Sequence, residues 1–126
     1  MGRSAHDWAP APPNTGSAVN DLRTLFEQID DLMAESADVD LARFERTLTD
    51  GYARALALEG ERLRLSKRIN ELAASLAEGG VEAKTEEIAS AVERLEESGS
   101  DLSALRRALA GLRDRAEAAR AAAATL

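Results

Sequence analysis

The sequence predicts an all-α chain: a long antiparallel helical hairpin, coiled-coil-like, preceded by a short amphipathic helix. Three observations carry this. Val81, Ile88, Leu95, Leu102, Leu109, Ala116 and Ala123 recur at heptad spacing, the mark of a helix seam that faces another helix. A second heptad series runs through Leu41, Leu48, Ala55, Ile69 and Leu76. Between the two lies Gly79-Gly80, and glycine readily takes the left-handed backbone found just past a helix C-terminus.

The elements follow in order. Residues 1–16 include Pro10, Pro12, Pro13, Asn14 and Gly16 and show no apolar period. Proline fixes φ and removes a donor, so this stretch reads as a flexible tail with some extended polyproline character. The rest, 17–126, reads as a single helical domain. Ser17 is a fair N-cap, and Val19, Leu22, Phe26, Ile29 and Met33 then alternate at three and four, with Leu25 and Leu32 widening the stripe. That predicts a helix over about 18–35 with an acidic outer face of Asp21, Glu27, Asp30, Asp31 and Glu35.

Ser36 to Asp40 breaks the pattern and offers a cap for a first arm over about 39–78. Its seam is Leu41, Phe44, Leu48, Leu58, Leu65, Ile69, Leu72 and Leu76, with Gly51 and Arg62 as two imperfect positions. Glycine inside a helix costs about 1 kcal/mol relative to alanine, so Gly51 marks a weak point or a close contact. Tyr52, Leu56 and Leu63 lie off the narrow seam. A two-stranded coil does not use such a flank, whereas a third helix would, and the helix at 18–35 is the nearest candidate.

The turn is expected at 79–80 and the return arm over about 81–124, with Ile88, Leu95, Leu102, Leu105, Leu109 and Leu112 as its seam. Ser98-Gly99-Ser100-Asp101 predicts a break near 98–101. The heptad phase crosses that segment without a slip, which favours a kinked, nearly continuous arm over a full turn giving a compact four-helix fold. A bend centred on the two glycines sets Arg62, Arg64, Lys67 and Arg68 beside Glu93, Glu96 and Glu97. It also sets Arg43 opposite Glu117, and Arg113 close to Glu45. Each exposed pair contributes only about 0–1 kcal/mol, but together they select register and orientation.

Composition excludes several classes. The chain has 126 residues, 16 basic and 23 acidic, for a net charge of −7. Such a surface repels free nucleic acid unless cations gather on one face. There is no cysteine, so disulfides and thiolate metal sites are absent. No stretch is long and apolar enough for a membrane span, and the N-terminus lacks the apolar region of a secretory signal, so a cytoplasmic location is expected. His6, the single histidine, lies in the tail beside Asp7 and Trp8. The adjacent pairs Glu86-Glu87 and Glu96-Glu97 diverge by about 100° on a helix and converge on no metal or proton. No catalytic residue, cofactor site, metal site or small-molecule substrate is therefore expected.

These readings converge on a non-enzymatic coiled-coil interaction module, acting as scaffold, adaptor or assembly subunit. Its partner would be another protein or a second copy, held through helices. The candidate contact residues are Trp8, an isolated aromatic in a proline-containing tail, and the flank Tyr52, Leu56 and Leu63. Two other readings stand beside it. One is a regulatory effector that inserts an acidic tip, Glu78 and Glu82, into a larger enzyme. The other is an anion- or nucleic-acid-binding helical protein that uses Arg62, Arg64, Lys67 and Arg68.

Overall fold

A computed structural model describes residues 15–35 and 40–125. Its elements are α1 (Thr15–Ala34), α2 (Leu41–Ala74), a 3-10 turn at Leu76–Glu78 and α3 (Val81–Ala124). The described residues contain no strand, so the chain is all-α. Of the expected tail at 1–16, residues 1–14, with His6 and Trp8, lie outside them, whereas Thr15 and Gly16 belong to α1, which starts before the expected cap at Ser17.

The helix boundaries have local causes. α2 starts where the Asp40 carboxylate accepts the Arg43 backbone N–H at 3.2 Å, satisfying one of the four free donors of a first turn. It ends at Ser75, whose hydroxyl donates to the Leu72 carbonyl at 3.0 Å. The Lys84 ammonium reaches back from α3 and donates to the Ser75 carbonyl at 2.6 Å, placing a cation at the negative end of α2. The reversal itself needs glycine: Gly79 has φ 106° and Gly80 has φ 67°, ψ 31°, a region costly for any residue with a Cβ. α3 starts directly at Val81 with Gly80 as its cap.

The interruption expected near 98–101 is absent. α3 runs as one helix of 44 residues through Ser98, Gly99, Ser100 and Asp101. Ser98 is buried, and its hydroxyl donates back to the Leu95 carbonyl at 3.0 Å. The same residue type that caps a helix elsewhere is here satisfied within one.

α2 and α3 form the antiparallel hairpin. Gly51 sits against Leu109, and Gly99 against Arg62, close to the level that a bend at the two glycines sets. The ion pairs are others than expected. Arg68 joins Glu87 at 2.8 Å, Arg94 joins Glu61 at 3.4 Å, Arg120 joins Glu45 at 2.9 Å, and Arg106 joins Glu59. Arg43 turns to Glu35 at 2.9 Å rather than to Glu117, and Arg120 rather than Arg113 takes Glu45. Level alone does not make a pair. Successive helix positions step by about 100°, so residues at one level need not face each other, and Glu93, Glu96 and Glu97 stand level with the basic cluster without pairing with it.

α1 completes the core over the open half of the hairpin. Leu22, Leu25, Ile29 and Leu32 join Phe44, Leu48, Ala55 and Leu58 of α2 and Leu102, Leu105, Leu109, Leu112 and Ala116 of α3 in one cluster. The buried line of α1 is thus Leu22, Leu25, Ile29 and Leu32, with Phe26 partly buried and Met33 exposed at the margin. Leu41 is also partly buried against this cluster. In the half nearer the bend, only Leu72, Ala91 and Ser98 are buried. Leu65, Ile69, Leu76, Ile88 and Leu95 remain half-exposed there, because two helices cannot enclose a seam alone.

A candidate interaction surface

The expected docking of α1 on Tyr52, Leu56 and Leu63 does not occur; α1 packs on the other side of the hairpin. Met33 lies beside Gly111 of α3, and Arg115 of α3 donates to the carbonyl of Met33 at 3.2 Å and to that of Glu35. Arg115 thus clamps the C-terminal end of α1, where carbonyls lack helical partners and a cation is favoured. The heptad pattern gave no reason to single out Arg115, since its role depends on where α1 docks. On that side the apolar line of α1 meets Leu58 of α2 and Leu105 and Leu112 of α3 in one buried cluster.

The opposite side is left bare. Leu56 is 69% exposed, Leu63 72% and Tyr52 46%, all on one face of α2. The other large exposed apolar residues of the hairpin are Val81 and Val92 on α3. At about 100° per residue, Val81 and Val92 fall on the face of α3 that also carries Arg106 and Ala110. Tyr52, Leu56, Arg106 and Ala110 line one open groove, floored by Ala55 and Leu109 and edged by Glu59 and Arg113. The exposed side chains of both arms therefore share one long flank, opposite α1. Scattered exposed leucines are ordinary on a protein surface; five large apolar residues on one side of a rod are not.

The two flanks differ in charge. Near the bend, the flank continuous with α1 carries the Arg68–Glu87 and Arg94–Glu61 pairs. The hydrogen bond and charge of Arg68 hold the Glu87 carboxyl below its ordinary value, and Glu87 in turn raises Arg68. The bare flank presents Leu63, Ser66, Asn70, Ala74 and Ala77 on α2 and Val81, Thr85, Val92, Gly99 and Ser103 on α3. Charge appears there as the Glu59–Arg106 pair, as Arg113 at the open end of the groove and, at the edges nearer the bend, as Lys67 and Glu96.

The other candidates are not brought together. Arg62 lies in the seam against Gly99, its Nε buried without a hydrogen-bond partner, while Arg64 and Lys67 are exposed and Arg68 is paired across the hairpin. These four cations form no single basic face. Glu78 and Glu82 are exposed at the tip. Among the described residues no group of three or more histidine, cysteine or acidic side chains is arranged to hold a metal ion, and no helix is long and apolar enough to cross a membrane. Comparison with protein-family models, curated proteins and solved structures finds no match to this chain.

Proposed function

We propose that the protein is a non-enzymatic helix-docking module, a scaffold, adaptor or assembly subunit that works by coiled-coil packing. The hairpin is the rigid element, α1 closes one of its flanks, and the other flank receives helices from outside. The observation that carries this reading is the unoccupied apolar flank of Tyr52, Leu56 and Leu63, facing away from α1. Helices pack through apolar anchors spaced three, four and seven apart, and 52, 56 and 63 are spaced by four and seven.

A photo-crosslinking amino acid at position 63, in the cells that make the protein, tests it. One defined, mass-identified adduct is expected, whether a second copy or another protein. The same group at position 64, on the face turned away, is expected to give none. Adduct formation that does not differ between the two positions, or that survives Leu56→Asp, would overturn the reading.

A further inference from the structure

We propose that the occupant of the bare flank is a second copy of this chain, related by a twofold axis parallel to the hairpin. The result is a four-helix arrangement with both bends at the same end and an α1 on each outer side. This inference rests on the docking reading above and adds the identity of the partner and its orientation.

Area supports a second copy. From Tyr52 to the bend the flank is about 40 Å long at 1.5 Å per residue, and two packed helices are about 20 Å wide. The product, about 800 Å² per copy, is what a standard stable protein interface buries on each partner. Two hairpins meeting on it would also cover Ile69, Ile88 and Leu95, half-exposed seam residues in heptad phase with the groove floor of Ala55 and Leu109.

Charge selects the axis. Face-to-face packing of identical surfaces allows a twofold along the hairpin or one across it. Along the hairpin, α2 of one copy faces α3 of the other. The Glu59–Arg106 pair within each copy is then laid against Arg106 and Glu59 of the second copy, a square of alternating charges. Lys67, one turn past Leu63, and Glu96, one turn past Val92, stand at opposite edges of the flank and nearly level. The same axis brings Lys67 of each copy to Glu96 of the other. A twofold across the middle of the flank instead sets Lys67 against Lys67 and Glu96 against Glu96, which opposes assembly.

The test uses the purified full chain, with solution mass by light scattering on a sizing column up to about millimolar concentration. The expected mass is twice 13.5 kDa, falling to the single-chain value in the Leu56→Asp, Leu63→Asp double variant with helicity unchanged. Lys67→Glu and Glu96→Lys are each expected to raise the dimer Kd by about tenfold, since two attractive edge contacts become repulsive. An equimolar mixture of these two single variants is expected to recover the dimer, because each reversed charge then meets its opposite. A mass of one chain at every concentration overturns the inference, as does a dimer that ignores the double variant. Single variants that weaken the dimer without rescue on mixing overturn the lengthwise axis. A monomeric chain that still crosslinks a different protein from position 63 removes the second copy but keeps the docking reading. Monomer without crosslinking removes both.

Discussion

Gly51 and Gly60 sit in the same helix and have opposite expected responses to alanine. A Cβ on Gly60 would meet only the Arg64 Nη1 at 3.4 Å, the far end of an exposed, movable side chain. Gly60→Ala therefore gains the helix-propensity difference, about 1 kcal/mol of added stability. A Cβ on Gly51 would lie 2.3 Å from Leu109 Cδ2 and 3.3 Å from its Cγ. Leu109 is 1% exposed and packed within the cluster that α1 closes, so the added methyl forces it off its packed rotamer. Overpacking of this kind costs about 1–3 kcal/mol, which cancels or exceeds the propensity gain. The two variants are thus expected to differ by about 1–3 kcal/mol in favour of Gly60→Ala. Urea unfolding followed by helical circular dichroism, at one protein concentration, measures it through the midpoint. Adding Leu109→Ala to Gly51→Ala is expected to cost less than Leu109→Ala alone, because the new methyl fills part of the cavity. If Gly51→Ala stabilises as much as Gly60→Ala, the close approach of α2 and α3 at that level is refuted.

Two further outcomes follow from the packing and the ion pairs. Leu32 of α1 is fully buried, so Leu32→Ala is expected to destabilise the whole chain by about 2–5 kcal/mol in the same unfolding assay. An unchanged midpoint would mean that α1 does not share the cooperative core. The Glu87 carboxyl is held below its ordinary value by the Arg68 hydrogen bond and charge. Its small contribution is present above the ordinary glutamate range and fades as pH falls through the lowered folded value. Midpoints of the parent and Glu87→Gln measured against pH are expected to differ slightly at neutrality and converge in acid; a gap that persists at low pH contradicts the pairing.

The heptad phases and the double glycine were enough to place two antiparallel arms and their bend. Their information is local: period, side-chain volume and the φ freedom of Gly79 and Gly80 act whatever the rest of the chain does. The apparent break at 98–101 misled for the same reason, since Ser98 and Gly99 carry capping propensity in isolation but sit buried or half-buried against α2 in the folded chain. Tertiary structure alone decided which flank α1 covers. Leu22, Leu25, Ile29 and Leu32 could lie on either side of the hairpin by periodicity. Their side is that of Leu58, Leu105 and Leu112, with which they share one cluster, and of the Arg115 clamp on the end of α1. Ion-pair choice was decided there too, because level is a property of numbering whereas facing depends on how two helices are rotated against each other. The candidate surface inherits both parts: its residues, Tyr52, Leu56 and Leu63, were legible as an apolar flank, and only the docking of α1 elsewhere made that flank a vacant one. A helix stripe states that something must cover it; which neighbour does so depends on competition among faces that no single segment encodes.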